Sequence, residues 1–399
     1  MTHVVVIGAG QAGASVVAKL RNDGFSGEIT LIGEEPVLPY QRPPLSKKYL
    51  LGEMDLERLF LRPKSFYEEH DIQLLLGCAV SDIKPASRKL TVDGNEIGYD
   101  HLVFATGSSP RYLPESVGGK LAGVYVVRGL SDVDAMAPEF VKDRHVLVIG
   151  GGYIGLEAAA VAASKGLRVT VVEMADRILQ RVACQETSQF FREIHQKNGV
   201  EIIESIGLKC LQGDVRVTQA ELSDGRVLDV DFVIAGIGVS PNITLAQASG
   251  ATIGNGIATD TYGRTNIENV WAAGDCASFP FQDQRIRLES VPNAIDQAEI
   301  VAQNIMGGEK EYTAKPWFWS DQYDVKLQIA GLNTGYDDVI TRHGEGAVSF
   351  WYFKGEKLLA VDAMNDPRGY MIGKRIIEAG KTIDKSAVGD ASVDLRKFM

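Results

Sequence analysis

Two short stretches carry glycines at the spacing that brings a protein backbone close to a phosphate. "GAGQAG" contains Gly8, Gly10 and Gly13, and "GGGYIG" contains Gly150 and Gly152. In such a loop the first glycine makes a tight turn, the second lets the chain approach a pyrophosphate, and the third lets the helix pack on the strand. The helix that follows directs its free N–H groups at the phosphates. Both stretches therefore predict the binding of a dinucleotide.

Each glycine loop is followed by an acidic residue where a ribose is expected. Glu34 directly follows the apolar run "EITLIG", and Glu173 directly follows "RVTVV". A carboxylate at this point accepts hydrogen bonds from ribose hydroxyls. One glycine loop alone is a weak signal, whereas two loops with correctly placed acids are a strong one. Glu173 would also repel a 2′-phosphate, and no arginine follows it directly, so the second loop favours NADH over NADPH.

The elements that position these residues form one unit that is used twice. "HVVVIGAGQAG" (3–13) and "HVLVIGGGYIG" (145–155) each predict a buried strand, a glycine turn and the start of an Ala-rich helix. A later strand, "NVWAAGDCASF" (269–279), ends at Gly274 and Asp275 and precedes the helical stretch 293–307. Two dinucleotide folds in one chain indicate a resident flavin and a visiting nicotinamide. We expect the first copy to bind FAD, with Asp275 on a ribityl hydroxyl, and the second to bind NADH.

From about residue 315 the pattern changes to short strands followed by a helix near 367–380. The predicted fold class is therefore α/β, with two Rossmann-like dinucleotide-binding domains and a small α+β C-terminal domain. We expect an FAD-binding domain from residues 1–110 and 242–314, an NAD-binding domain from 111–241, and the C-terminal domain from 315–399.

Composition excludes several classes of function. The net charge of −11 argues against nonspecific nucleic-acid binding, which needs a basic surface. The longest apolar run, 146–163, is interrupted by glycines and by Glu157, so no membrane span is expected. The N-terminus has no basic segment typical of a signal peptide. The four cysteines have no CxxC spacing and the six histidines form no spaced cluster, so we expect a cytoplasmic protein without a metal site.

Motifs along essentially the whole chain resemble the NADH-dependent ferredoxin reductases of oxygenase and cytochrome P450 systems. They are "GAGQAG", "PYQRPPLSKKYL", "GGGYIGLE", "GIGVSPN", "YGRTNIENVWAAGD", "VPNAIDQA" and "WFWSDQY". These enzymes belong to the FAD-dependent pyridine nucleotide-disulfide oxidoreductase superfamily and have a glutathione-reductase-like fold. The disulfide reductases of that superfamily carry a redox-active cysteine pair after the second strand. Here that place holds Arg42, Pro43 and Lys47 without a thiol, so the resemblance implies that electrons leave the protein.

The resemblance also implies roles for individual residues. Lys47 is expected near the flavin, paired with Glu157 as the catalytic pair. The other expected FAD contacts are Gly8, Gly10, Gln11, Ala12, Gly13, Glu34, Arg42, Pro43, Val80, Ala105, Thr106, Gly107, Arg128, Gly274, Asp275, Val291 and Trp319. The expected nicotinamide contacts are Gly150, Gly152, Tyr153, Ile154, Glu157, Glu173, Arg181 and Gly238.

The implied partner is a [2Fe–2S] ferredoxin. Since this chain is net acidic and ferredoxins are commonly acidic, docking needs a local basic patch. The candidates are Arg285, Arg287, Lys374 and Arg375, which we expect beside Trp319, and the chain is expected to be a monomer or weak homodimer. Two alternatives remain open: an enzyme like monodehydroascorbate reductase, and a flavin-based NADH-sensing interaction protein like apoptosis-inducing factor.

Overall fold

The computed structural model describes residues 1–398, which form two compact units assembled from separate stretches of chain. The first unit contains Met1–Gln41, Leu56–Ser109 and Val239–Pro316. The second contains Arg42–Asp55, Pro110–Gly238 and residues 317–398. The segment 42–55 thus belongs to the second unit, although its sequence position suggested the FAD-binding domain. The division into three domains stays a prediction.

The first unit is built on a sheet of five parallel strands, which we call the N-terminal sheet. Its strands are rich in Val, Ile and Leu that are buried on both faces, as in sheets covered on both sides by other elements. In spatial order they are Val270–Ala272, His101–Phe104, His3–Ile7, Glu28–Gly33 and Ile72–Leu76.

Two helices, Gln11–Asn22 and Val291–Ile305, share one hydrophobic core in this unit, in which Leu20 and Val301 are fully buried. The helix predicted over 293–307 is thereby confirmed with its start at Val291. The shorter helices are Leu56–Leu59, Lys64–Glu69 and Thr244–Ala248. Three smaller sheets complete the unit. One is antiparallel and contains Val80–Lys84, Lys89–Val92 and Asn95–Gly98. A mixed sheet contains Ile253–Gly254, Gly256–Ala258, Ala277–Phe281 and Gln284–Ile286, in which the second and third strands are parallel. The third pairs Ser108–Pro110 with Val239–Pro241.

The second unit repeats the plan with a middle sheet of five parallel strands. In spatial order they are Glu201–Glu204, Arg168–Glu173, His145–Ile149, Phe232–Ala235 and Val124–Tyr125. The repeat that the sequence predicted is therefore confirmed. The associated helices are Leu130–Met136, Tyr153–Ser164 and Gln185–Lys197, and a small antiparallel sheet contains Leu208–Gln212, Gln219–Leu222 and Val227–Asp229.

The C-terminal part of the second unit is an antiparallel sheet covered by a helix. Its strands in spatial order are Trp317–Gln322, Val325–Gly331, Lys357–Met364, Ala347–Lys354 and Asp338–Gly344. The helix Pro367–Glu378 begins where Asp366 accepts a hydrogen bond from the Gly369 N–H at 2.8 Å, and a short helix Lys385–Gly389 follows. The predicted helix near 367–380 is confirmed, whereas the strand Trp317–Gln322 was not predicted. Short 3₁₀ turns lie at Pro85–Ser87, Glu115–Val117, Ala137–Glu139 and Leu395–Phe398.

Candidate functional site

The first glycine loop is closed on its protein side and open on the other. Gly8 has φ +112°, and a Cβ atom there would lie 2.1 Å from the Ala105 carbonyl oxygen, so only glycine fits. A Cβ atom at Gly13 would lie 1.9 Å from the carbonyl oxygen of Gly8. At Gly10, by contrast, no atom of the described chain lies within 4 Å of that position. Since Gly10 caps the helix Gln11–Asn22 without a side chain, its first N–H groups and the open space fit a pyrophosphate.

The second loop has the same geometry in the second unit. Gly150 has φ +104°, and a Cβ atom there would lie 2.5 Å from the Gly236 carbonyl oxygen. Gly152 caps the helix Tyr153–Ser164, and the space beside it is open to 4 Å. Ile154, in the first turn of that helix, exposes 45% of its surface. This loop therefore also has room for a second dinucleotide.

The two acids differ in how they are held. Glu34 is exposed directly after the strand Glu28–Gly33. Glu173 ends its strand, and its carboxylate accepts hydrogen bonds from the N–H groups of Gly151 at 2.7 Å and Ala175 at 2.8 Å. These bonds fix Glu173 beside the second glycine loop, and a carboxylate has enough lone pairs to accept a ribose hydroxyl as well.

The remaining first-unit residues gather at the carboxyl edge of the N-terminal sheet. Because the strands are parallel, Gly8, Glu34, Ala105 and Asp275 each follow a strand end at the same edge, where ligands bind in such folds. Asp275 accepts a hydrogen bond from Ser108 Oγ at 3.0 Å. The other residues expected at FAD in this unit are placed as follows. Two hydrogen bonds join Thr106 to Asn242. Gly274 and Val80 are buried, and Val291 begins the helix Val291–Ile305.

A buried ion pair occupies the centre of the second unit. Lys47 Nζ lies 2.7 Å from Glu157 Oε2, and Ser46 Oγ donates to the same oxygen at 2.7 Å. The other oxygen, Oε1, accepts a hydrogen bond from Ser320 Oγ at 2.7 Å. Glu157 is only 2% exposed, so these three donors replace the water that a carboxylate otherwise requires. Loss of any one of them would leave charge or a polar atom unsatisfied.

Local structure explains how Lys47 reaches this carboxylate. The chain is kinked between two short helical turns within Leu45–Tyr49, and Lys47 lies at the kink with φ −133° and ψ −112°. Its ammonium group also donates to the Pro43 carbonyl at 3.3 Å. The expected pairing of Lys47 with Glu157 is seen in the structure, and its catalytic role stays a prediction.

Other residues expected at the cofactors also lie in the second unit. Arg42 Nη1 donates to the Arg128 carbonyl at 2.8 Å. Arg181 Nη2 lies 3.8 Å from the Cβ position of Gly238. Trp319 is half-buried, with its ring centroid 5.5 Å from that of Trp317. The residues assigned to FAD from the resemblance are thus divided between the two units.

Sequence reasoning missed two residues that donate hydrogen bonds to the buried ion pair, Ser46 and Ser320. Neither has a distinguishing pattern, because serine is common on surfaces and only the fold brings both hydroxyls to Glu157. The one signal was position: each lies within a motif that the resemblance rests on, "PPLSKK" and "WFWSDQ".

Of the docking candidates, Arg285 and Arg375 are exposed, whereas Arg287 and Lys374 are partly buried. Arg287 is only 10% exposed, pairs with Glu289 at 2.5 Å and donates to the Asp275 carbonyl at 3.1 Å. Arg285 donates to the Thr259 carbonyl at 2.8 Å. Lys374 pairs with Glu378 at 3.3 Å, and its Nζ lies 5.7 Å from the ring centroid of Trp317. This geometry corrects the interpretation of Arg287, which supports Asp275 and has little surface for a partner. Arg375 is exposed on the same helix as Lys374.

The cysteines form no disulfide among the described residues. All four, at positions 78, 184, 210 and 276, are free thiols. Cys276, next to Asp275, is buried, and burial raises the pKa of its thiol. Among residues 1–398 no group of three potential metal ligands comes together. Within the same range, no helix combines the length and the apolar character that a membrane crossing needs.

Comparison with known families matches nearly the entire chain. Residues 2–298 match a family described as pyridine nucleotide-disulphide oxidoreductase, and residues 317–399 match one described as reductase C-terminal. A ferredoxin–NAD(P)⁺ reductase from Sphingomonas sp. is 45% identical over 100% of this chain and 98% of its own length. Rhodocoxin reductase from Rhodococcus erythropolis is 42% identical over 98% of this chain and 93% of its own.

Solved structures give the same result. The covalent putidaredoxin reductase–putidaredoxin complex matches with a TM-score of 0.96 and 38% identity, over 100% of this chain and 98% of that one. The ferredoxin reductase for the CYP199A2 system from Rhodopseudomonas palustris also matches with a TM-score of 0.96 and 38% identity, over 100% and 99%. These matches confirm both the fold class and the resemblance on which the residue assignments rest.

Proposed function

This chain belongs to the pyridine nucleotide-disulphide oxidoreductase family, and we propose that it is an FAD-dependent NADH:ferredoxin oxidoreductase. It passes electrons to a [2Fe–2S] ferredoxin that feeds a cytochrome P450 or a ring-hydroxylating oxygenase. Support comes from relatives of this activity that align over the full length, including the C-terminal sheet. The free thiols support a cytoplasmic location.

The single observation that carries the proposal is the content of the segment Arg42–Asp55. It contains no cysteine and instead supplies Lys47 to the buried carboxylate of Glu157. A disulfide reductase of this family requires a thiol pair in this segment to receive electrons. This chain has no such acceptor there, so its electrons leave the protein.

Residues of the first unit fit FAD, and residues of the second unit fit NADH. The open space at Gly10, the helix start at Gln11 and the edge residues Glu34 and Asp275 fit FAD. The chemistry that bound FAD supplies is acceptance of a hydride from NADH and release of electrons one at a time. In the second unit, Gly152 and Glu173 would hold NADH, and the resemblance assigns the Lys47–Glu157 pair to the flavin and the nicotinamide.

Two measurements test the proposal. The purified protein should contain one FAD per chain and no stoichiometric iron or zinc. With NADH it should reduce a [2Fe–2S] ferredoxin faster than monodehydroascorbate in steady-state assays. A higher rate with monodehydroascorbate would favour the alternative enzyme, and slow turnover with every acceptor would favour an interaction protein.

A further inference from the structure

A continuous chain of hydrogen bonds runs from Glu157 to the edge of the second unit. We infer that four residues, Ser320, Gln322, His195 and Tyr323, form a relay that positions the carboxylate of Glu157 for its partner Lys47. The relay extends the site of the proposed function and rests on it. None of these four residues had a role predicted from the sequence, and the structure brings them together from the helix Gln185–Lys197, the strand Trp317–Gln322 and the turn that follows that strand.

Each link of the relay is within hydrogen-bond distance. Ser320 Oγ donates to Glu157 Oε1 at 2.7 Å, and Gln322 Nε2 donates to Ser320 Oγ at 3.2 Å. His195 Nε2 lies 2.8 Å from Gln322 Oε1, and the Tyr323 hydroxyl lies 3.1 Å from His195 Nδ1. Ser320 and His195 are fully buried, and Gln322 is 1% exposed, so water does not compete for these bonds.

The partners fix the direction of every bond. Gln322 uses its amide N–H toward Ser320, so its oxygen must accept from His195, whose Nε2 therefore carries the ring proton. Nδ1 is then the acceptor for the Tyr323 hydroxyl. Burial lowers the pKa of His195, which keeps the ring neutral as this pattern requires. All donors thus point along the chain toward the carboxylate of Glu157.

This directed arrangement holds a charge in place and does not conduct protons. A side-chain amide neither gains nor loses a proton near neutral pH, so Gln322 interrupts proton transfer between His195 and Ser320. The relay therefore fixes the direction of each hydrogen bond from Tyr323 to Glu157, without moving a proton. With Ser320 locked by Gln322, its hydroxyl hydrogen can point only at Oε1, and Oε2 stays available to Lys47 and Ser46.

The fold supports both ends of the relay. Ser320 and Gln322 lie on the same face of the strand Trp317–Gln322, because side chains alternate along a strand. Gln322 pairs with Val325 across a two-residue turn, in which Tyr323 has φ +55°. This left-handed conformation is unfavourable for a bulky residue, and the bond to His195 helps to hold it. His195 is on the helix Gln185–Lys197, so the relay ties that helix to the C-terminal sheet.

The test combines variants that break the relay at different points. Ser320→Ala removes the donor to Glu157, Ser320→Thr keeps a hydroxyl, and Tyr323→Phe removes only the last donor. A matched control is Tyr336→Phe, which removes the hydroxyl of another partly exposed tyrosine of the second unit outside the relay. The readouts are the rate of flavin reduction at saturating NADH, the dissociation constant of NADH, the melting temperature, and the infrared carboxylate stretch of Glu157. That stretch is assigned by difference against Glu157→Gln and needs no NADH.

We expect Ser320→Ala to slow flavin reduction about tenfold and to shift the carboxylate stretch, because a hydrogen bond to a charged group is lost. The dissociation constant of NADH should stay unchanged. Ser320→Thr should restore both the rate and the stretch. Tyr323→Phe should slow reduction about threefold, since His195 and Gln322 can then reverse their bonds and the Ser320 hydroxyl can turn away from Glu157.

Two results would overturn the inference. One is a Ser320→Ala protein with a lower melting temperature but an unshifted carboxylate stretch, since Ser320 would then only support packing. The other is Tyr323→Phe behaving like Tyr336→Phe in every readout, since the relay would then not reach beyond Ser320. The infrared result stands even if the protein does not oxidise NADH, so failure of the proposed function is seen separately, as absence of flavin reduction by NADH in the unaltered protein.

Discussion

At the scale of single residues, we expect Glu173 to set the preference for NADH over NADPH. Its carboxylate is fixed beside the second glycine loop by two N–H groups and cannot swing away from a 2′-phosphate at low cost. We expect at least about tenfold higher kcat/KM with NADH than with NADPH, which corresponds to only ~1.4 kcal/mol of repulsion. Glu173→Ala should narrow that ratio through a lower KM for NADPH. Equal efficiency of the unaltered protein with both cofactors would refute the assignment.

Asp362 predicts a pH dependence of stability. It is buried, its Oδ2 accepts hydrogen bonds from Thr187 at 2.7 Å and from the Tyr352 hydroxyl, and its Oδ1 has no partner among the described residues. Burial raises the pKa of Asp362 from 3.8 to about 6. A carboxyl group whose pKa rises on folding favours the folded state below its unfolded pKa. It loses that contribution as the pH rises through the folded pKa.

Replacement of Asp362 by asparagine should remove this dependence. Relative to the unaltered protein, the free energy of unfolding of Asp362→Asn should rise by about 1–3 kcal/mol as the pH increases from about 4 to about 7, and then level off. Urea unfolding at several pH values measures this difference. A difference that stays constant over that pH range would show that Asp362 does not titrate there.

The residue scale also shows what the sequence could and could not predict. The pairing of Lys47 with Glu157 followed from a resemblance, and the structure has the two side chains in contact. The roles of Ser320 and His195 could not be predicted from the sequence, because they depend on contacts between elements that are distant in sequence. Arg287 was read as a docking residue because it is charged, but its guanidinium is nearly buried against its own unit.

At the scale of elements, the strand–turn–helix unit makes a paired prediction about two glycines. A Cβ atom at Gly10 meets no atom of the described chain, so Gly10→Ala should change the stability of the apoprotein by less than about 0.5 kcal/mol. The added methyl group would occupy space that FAD needs, so FAD should bind about tenfold or more weakly. Flavin fluorescence titration and urea unfolding measure the two effects.

Gly13→Ala is the matched control on the other side of the same turn. Its methyl group would lie 1.9 Å from the Gly8 carbonyl oxygen, so the helix must move away from the sheet. Here we expect a clear loss of apoprotein stability, of about 1–3 kcal/mol, as for other overpacked sites. If Gly10→Ala destabilised the apoprotein as much as Gly13→Ala, the loop would not be open on its ligand side.

Elements with strong periodicity were predictable, and elements fixed by tertiary contacts were not. The two βα repeats were evident because buried parallel strands consist of β-branched residues bounded by glycines. The strand Trp317–Gln322 has aromatic residues on both faces, so it lacks the alternation that marks a strand half exposed to solvent. The kink at Lys47 within Leu45–Tyr49 has no sequence pattern that predicts it.

At the scale of the whole molecule, the net charge of −11 means that an acidic ferredoxin is repelled unless a local basic surface offsets that charge. Lys374 and Arg375 are neighbours on one helix, with Lys374 over the ring of Trp317, and two adjacent basic residues can offset that charge locally. Their joint replacement by glutamate should raise the KM for ferredoxin at least about fivefold and flatten its dependence on salt. Turnover with ferricyanide should stay unchanged, because a small acceptor does not need a protein-docking surface. Stopped-flow and steady-state assays over a range of salt concentrations measure both.

Arg287→Gln provides the contrast, since this side chain supports Asp275 from within the first unit. We expect it to lower the FAD content of the purified protein and to reduce the ferricyanide and ferredoxin rates in parallel. A selective loss of ferredoxin turnover in Arg287→Gln, with none in the glutamate double variant, would move the docking surface to the first unit.

The division of each unit among separate stretches of chain has a consequence during synthesis on the ribosome. The edge strand Val270–Ala272 pairs with His101–Phe104, which is made much earlier. At 5–20 residues per second, roughly 8–33 s separate the two. During that interval the strand His101–Phe104 lacks its partner on that side, and the second unit also waits for the last part of the chain. Nascent chains of this protein should therefore depend on chaperones until translation has ended.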